Sequence, residues 1–432
     1  MANKPGVLTS KDYDIRKLEI IASTGQSVDI KYIFTQLQIR QDLYSSVMNG
    51  SVLVNDARDL FNNFSFCGNE YIVIDIDKPS LDEPIQKTFR IYKATNRTKT
   101  GNSSQGYVLH FCSDSFILSN SLRVSKAYKN RKASDIVMDV LENYLSITKD
   151  DIHNFEPTTG VYDFVVPGYR PFEAIQWAVA RSYSDTPKFC YFFFETTKGY
   201  NFQSLQTLYK NKDVKKLKYE IKNSEEQDPA LNRDSIDKFR IINDFDVITS
   251  KTNGSFASRL LTVDIYNQTF RTFDYSAANA EKKSLLLNKY KLLNSMKDLA
   301  GQSVYDAYDS YYSTYALIND TKSEKDNSID KWLMPRALHM SLINSFKFKA
   351  TLPGDTSMNV GDVVNFDFPK FVAADESGKE LDEYRTGKYL VTAINHVFTE
   401  DTFNSITEFS TDSFAEPIPD AADIAGTLRN SR

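Results

Sequence analysis

Apolar and polar residues alternate through most of the first hundred positions. Leu18-Glu19-Ile20 opens one strand, Gly25 turns the chain, and Val28-Asp29-Ile30 leads into Leu37-Gln38-Ile39-Arg40. Gly50 precedes Val52 and Val54, and Ile72, Ile74 and Ile76 share one face of YIVIDID. A period of two is that of a half-buried strand. Pro79 and Pro84 mark a loop. FRIYKA (Phe89–Ala94) and YVLHFC (Tyr107–Cys112) then flank the polar stretch TKTGNSSQG, which predicts a hairpin with a long tip. Short strands divided by Gly and Asn turns predict a first β-barrel or sandwich over residues 1–112.

The period changes after residue 112. Ala133, Ile136, Val137, Val140, Leu141, Tyr144 and Leu145 recur at steps of three and four, predicting an amphipathic helix with Ser134 as its N-cap. Pro171 suits the first turn of a second helix, with Phe172, Ile175, Val179 and Tyr183 as its apolar stripe. FCYFFFETTKGYNFQSL reads as a buried hairpin around Lys198-Gly199. The charged run KNKDVKKLKYEIKNSEEQD (Lys210–Asp228) reads as a solvated connector. Residues 113–234 are therefore assigned to an α/β middle domain.

Alternation returns in RLLTVDIYNQTFRTFDY and again from Phe346 to Ser410. These stretches assign residues 235–275 and 336–415 to a second β-domain. Between them, Leu285, Leu292, Met296 and Leu299 form one helical stripe, and Tyr308, Tyr311 and Tyr315 another. Both read as packing faces of a helical insertion over 276–335, with Asp326-Asn327-Ser328 as a cap or turn ahead of Trp332. Residues 416–432 predict an extended C-terminal tail, because Pro417 and Pro419 fix two φ angles and remove two donors.

The two β-regions resemble each other. Gly68-Asn69-Glu70 opens YIVIDIDKP, and Gly361-Asp362 opens VVNFDFPK. A loop and a strand follow in each, FRIYKATNRT in one and KYLVTAINHV in the other. Each ends on a strand running into Asp-Ser-Phe, at Asp114-Ser115-Phe116 and Asp412-Ser413-Phe414, at similar spacing. Strand order, opening glycines and spacing together predict two related β-domains.

Composition sharpens this reading. The 432 residues include 29 Phe and 25 Tyr, which pack well on pleated surfaces. Charged residues are 25% of the chain, an ordinary globular share. The 52 basic side chains fall short of the 57 acidic ones, leaving a net charge of −5. That balance speaks against a protein whose task is to grip nucleic acid phosphates. A mean hydropathy of −0.43 and no long apolar run predict no transmembrane helix; Phe189–Phe194 is far too short. The opening MANKPGVLTSKDYDI shows no secretory h-region. Cys67, Cys112 and Cys190 each lie in an apolar run and read as buried reduced thiols.

No catalytic, cofactor or metal residue is assigned. His110, His153, His339 and His396 are far apart, and HExxH, CxxC and CxxH are absent. Gly101 and Gly106 have P-loop spacing, but Tyr107-Val108 stands where lysine and a hydroxyl residue are needed. No GxGxxG or GxSxG occurs. Asp355/Asp362 or Asp375/Glu376 offer carboxylate pairs of the kind a glycosidase uses, though a chain with 57 acids always furnishes pairs. The composition leaves room for a structural protein, a receptor- or carbohydrate-binding β-protein, or a glycosidase fused to β-modules.

Several stretches carry a family resemblance. VDIKYIFTQLQIRQDLYSSVMNGSVLVNDA, GNEYIVIDID and FRIYKATNRT resemble the opening of the central baseplate hub protein of contractile-tailed bacteriophages. PGYRPFEAIQWAVARSYSDTPKFCYFFFETTKGYNFQSL is similar to that family's middle segment. LPGDTSMNVGDVVNFDFP and DEYRTGKYLVTAINHVF resemble its second β-domain. The resemblance spans roughly residues 13 to 414. It implies a mainly β (α+β) fold with two antiparallel β-barrel-like tube domains, and a non-enzymatic homotrimer. Three subunits of two such domains would form a six-fold-like ring. That ring would accept the tail tube or a tube-initiator protein on one face and a spike, which can bear a lysozyme, on the other. Baseplate wedge proteins would surround it, and DNA would pass only in transit. The place implied is the virion tail baseplate, assembled in the host cytoplasm without membrane insertion.

Overall fold

The computed structural model describes residues 13–417 except 65, 80, 82, 102, 186–188, 212, 220–234, 237, 265–267, 278–285, 292–302, 304–306, 318–328 and 371–380. Seven strands make the first β-unit: β1 (Asp14–Ile21), β2 (Ser27–Asp29), β3 (Phe34–Asp42), β4 (Asn49–Asp56), β5 (Tyr71–Asp77), β6 (Ile85–Lys99) and β7 (Gln105–Cys112). All pairings among them are antiparallel, in the spatial order β3-β4-β7-β6-β5-β1-β2. The period-two residues face inward: Leu37, Ile39, Val52, Val54, Ile72, Ile74, Ile76, Leu109 and Phe111 are buried in one cluster. The expected hairpin is β6–β7, and Gly101 closes its tip by donating its N–H to the carbonyl of Ser104.

Gly50 lies under the Phe111 ring. A Cβ there would stand 2.2 Å from the Gln38 carbonyl and 2.5 Å from the ring. We expect Gly50→Ala to force β3 and β4 apart at about 1–3 kcal/mol, read as a lower melting midpoint with an unchanged strand signal in circular dichroism.

The middle unit holds β8 (Val124–Lys132), β9 (Ile152–Phe155), β10 (Val161–Tyr169), β11 (Tyr191–Thr196) and β12 (Gly199–Ser204), with helices Ala133–Tyr144 and Pro171–Ala180. β8 pairs with β10, and β11-β12-β9 form a second small sheet. Both helix stripes are buried as expected. The predicted cap is not: Ser134 lies inside the first turn, Lys132 holds the cap position, and Thr158 Oγ1 accepts the Ser134 N–H at 3.0 Å. The aromatic hairpin is as read, with every residue of β11 buried. Glu195 in it is buried, accepts hydrogen bonds from the Met48 N–H and Ser113 Oγ, and lies 3.6 Å from Lys87 Nζ. That contact ties the middle unit to the first.

The remaining strands are β13 (Asp213–Tyr219), β14 (Ser235–Ile236), β15 (Lys238–Asn243), β16 (Ala257–Asp264), β17 (Thr269–Ser276), β18 (Tyr290–Lys291), β19 (Tyr312–Leu317), β20 (Phe346–Pro353), β21 (Val363–Asp367), β22 (Gly387–Thr399), β23 (Phe403–Thr411) and β24 (Ser413–Phe414). Two expectations are corrected here. The charged run read as a connector begins as β13, which pairs parallel with β21 and buries Leu217 in the main core. Lysines at alternate positions place their charge outside while the residue between them is buried. The tyrosine stripe is not helical: Tyr308 lies in a 3-10 turn, Tyr311 in a bend, and Tyr315 in β19, parallel to β16. Tyrosine and threonine favour strands once a partner strand is present. A helix does form at Ile329–Leu342, crossing the expected boundary at 335. Leu285, Leu292, Met296, Leu299, Asp326-Asn327-Ser328 and the tail beyond Pro417 lie outside the described residues.

The second β-unit orders its strands β15-β20-β23-β22-β21-β13. The first orders its own β3-β4-β7-β6-β5-β1. The repeat seen in the sequence is thus a repeat of topology, with one change: β1 is antiparallel to β5, whereas β13 is parallel to β21. Detail repeats too. A bulge falls after Ile91 in β6 and after Val391 in β22. Ile91 N–H donates to the Glu70 carbonyl and Val391 N–H to the Asp362 carbonyl, both at 2.9 Å. Gly68 and Gly361 both hold positive φ, 89° and 92°. The two Asp-Ser-Phe triplets follow equivalent strands, but one opens a helix and the other leads into β24. The fold is mainly β and antiparallel as expected. Among the described residues, no strand pairing closes either six-strand run into a full barrel.

Candidate assembly surface

No group of three His, Cys, Asp or Glu able to hold a metal occurs among the described residues. His339 and His396 are fully buried, which pushes each imidazole down to about 4 and keeps it neutral. His396 Nδ1 lies 3.0 Å from Ser405 Oγ, and His110 Nε2 lies 2.8 Å from Thr95 Oγ1. His153 is shifted downward by burial and by Lys198.

Asp355 and Asp362 each have hydrogen-bond partners of their own. Asp355 is ion-paired to Lys215 and accepts from Ser357. Burial would raise its carboxyl, but the Lys215 ammonium and the Ser357 donors outweigh that and hold it below the usual range. Asp362 is pushed up to about 6 by burial and accepts the Asn359 N–H at 2.8 Å. Asp375 and Glu376 lie outside the described residues.

Burial pushes the Cys112 and Cys190 thiols up to about 11, the setting of unreactive core residues. Cys67 departs from the expectation: it is exposed, on the turn that Gly68 makes before β5, where the Glu70 carboxylate accepts the Cys67 and Gly68 N–H groups. No helix among the described residues is long and apolar enough to cross a membrane.

What the surface does offer is strand edge. In the large sheet the two β-units join where β22 pairs antiparallel with β3, Ala393–Thr399 against Asp42–Gln36. β22 thus has two partners on that side, β21 over its first half and β3 over its second. β6, its counterpart, pairs with β5 only over Ile85–Arg90. Beyond Arg90 that edge of β6 has no partner strand among the described residues, and Tyr92 beside it is 48% exposed. The outer edge of β15, the counterpart of β3, likewise has no partner strand among the described residues. Ile242, Phe245 and Ile248 cluster in sequence at its end, 48%, 75% and 79% exposed. Composition could not reveal this surface, because strand pairing alone decides which edges are left over.

No family model and no curated protein matches the sequence. Two solved structures are similar to the chain over nearly its whole length. The tail protein from Neisseria meningitidis MC58 superposes with a TM-score of 0.55 at 12% identity, covering 93% of this chain and 97% of that one. The 43 kDa tail protein of prophage MuSo2 from Shewanella oneidensis superposes with a TM-score of 0.53 at 9% identity, covering 92% and 99%. Identities this low with coverage this complete mean that the architecture is what is shared, and this chain has the fold of these two tail proteins.

Proposed function

We propose that this chain is a structural hub of a contractile phage tail baseplate. Three copies form a ring that adapts a six-fold tail tube to a three-fold central spike and surrounds the channel through which DNA leaves. The observation that carries this reading is the topological repeat. One chain presents the same six-strand unit twice, so three chains present it six times. Identical subunits in a three-fold ring cannot otherwise offer six equivalent contacts. Similarity in fold to two tail proteins, one of them from a prophage, supports the same reading. The partners are then the tube or its initiator, the spike and the surrounding wedge proteins.

The proposal includes no catalysis. The acidic balance of the chain suits a wall past which DNA slides, since a lysine-rich lumen would hold phosphates. Multi-angle light scattering of the full chain, alone and co-expressed with a spike protein, tests the reading. A mass of three chains in either sample is expected. A monomer in both would end it.

A further inference from the structure

We propose that neighbouring subunits join through β6 of one chain and β15 of the next, in an antiparallel pair that copies the junction between β22 and β3 inside each chain. The inference rests on the trimeric reading above and specifies its contact.

The repeat fixes the register without free choice. Within the chain, Val397 of β22 faces Gln38 of β3, and Asn395 faces Arg40. Val397 also faces Asn404 of β23, whose counterpart in β7 is Gly106, which faces Thr98. Gln38 faces Ser51 of β4, whose counterpart in β20 is Lys349, which faces Arg240. Thr98 therefore stands for Val397 and Arg240 for Gln38, and the two should meet across the subunit boundary. The same steps carry Asn395 through Ile406 and Val108 to Thr95, and Arg40 through Asn49 and Lys347 to Asn243.

These two contacts are consistent with each other only if the strands stay in step between them. In the internal junction one residue on each strand, His396 and Ile39, separates the two contacts. β6 has two residues there, Asn96 and Arg97, because its ladder shifts between Thr95 and Thr98. Asn96 holds a φ of 54° at this point. β15 also has two, Ile241 and Ile242, because its own ladder shifts between Ile241 and Asn243. Each strand carries one extra residue at the same rung, so a single unbroken register joins them. A bulge on only one strand would have thrown every later side chain to the wrong face.

The apolar residues at this edge fit the same arrangement. Continued by two rungs, the register brings Phe245 opposite Lys93, next to Tyr92. Tyr92 stands for Thr392, whose carbonyl accepts the N–H of buried Leu43 in the internal junction. By the same steps Phe245 stands for Asp42, which faces Ala393 in the last pair of the internal junction, so Phe245 and Tyr92 are exposed neighbours at the rung where that junction ends. A head-to-tail contact of this kind closes a ring or grows without limit. With two units per chain and six positions, closure comes at three chains.

The test is a cysteine pair, Thr98→Cys with Arg240→Cys, in the full chain with exposed Cys67 replaced by serine. Both sites are exposed on their strands, so the lone chain should fold as before, and facing residues on paired strands bring their Cβ atoms within disulfide reach. Mild oxidation should give a ladder on a non-reducing gel that stops at three chains, with neither single variant doing so. Phe245→Asp in the same background should abolish the ladder. If the protein has the mass of three chains in light scattering but the pair does not cross-link, the strand junction is wrong and the trimeric hub stands. A cross-link within one chain, or a ladder running past three, also overturns the junction. A monomer that neither associates nor cross-links overturns both.

Discussion

Replacing Phe348 by alanine should cost about 3–5 kcal/mol, the largest loss we expect from any aromatic side chain of the second β-unit. Phe348 is completely buried on β20. Its ring stacks on Phe366 and Phe409 at 5.2 and 5.1 Å and meets Tyr389 edge-on at 5.1 Å. Phe239, Phe346 and Phe368 complete the surround at 5.7 to 6.3 Å. Aromatic rings held by other rings from several strands cannot collapse into a vacated space, so the cavity stays open. Domains are stable by only about 5–15 kcal/mol, and the substitution should remove much of that reserve. Urea unfolding followed by tyrosine fluorescence should show the midpoint fall sharply. A shift no larger than that of an exposed-site control, such as Phe270→Ala, would mean that the cluster does not hold the unit together. Phe348 occupies the place that Gly50 holds in the first unit, so the two halves solve the same position in opposite ways: one fills it from β20, the other leaves it to Phe111 from the neighbouring strand.

Lys215→Met should cost about 3–5 kcal/mol at neutral pH, because it strands a buried carboxylate. The Lys215 and Asp355 side chains are 9% and 4% exposed, and their ion pair links β13 to the turn after β20. In the native chain the Asp355 pKa lies below its usual value. A carboxyl depressed by folding contributes stability above its unfolded pKa, and that contribution fades as pH falls through the folded value. In the variant the cation is gone, burial dominates, and the carboxyl titrates above its usual value instead. Between pH 7 and 4 acid relieves the variant by protonating Asp355, while the native pair, whose carboxyl titrates lower, stays intact. The stability gap between the two proteins should therefore narrow as pH is lowered from 7 toward 4. A gap of constant size across that range would show that the loss comes from packing of the lysine stem and not from its charge.

The alternation of YIVIDID, the three-four spacing from Ala133 to Leu145 and the aromatic runs around Lys198-Gly199 determined their elements directly. In each, the apolar period matches the geometry of a single local structure, and burial followed it. The repeat was also legible, because Gly68 and Gly361 mark a backbone turn that favours glycine and each is followed by the same succession of strands. The lysine-rich β13 and the tyrosines on β19 misled for a common reason. Their strand state depends on β21 and β16 arriving from distant parts of the chain, and no local period records a partner. Cys67 was misplaced because a short apolar run around it ends in a turn. The proposed subunit junction lay still further from view. Thr95, Thr98, Arg240 and Asn243 are ordinary strand residues by type. Only the pairing of β22 with β3, set beside the edges of β6 and β15 that lack partner strands among the described residues, distinguishes them. A strand's hydrogen-bonding edge is made of backbone common to every residue type, so the sequence determined which faces are buried, and the tertiary structure alone decided which edges remain to be joined.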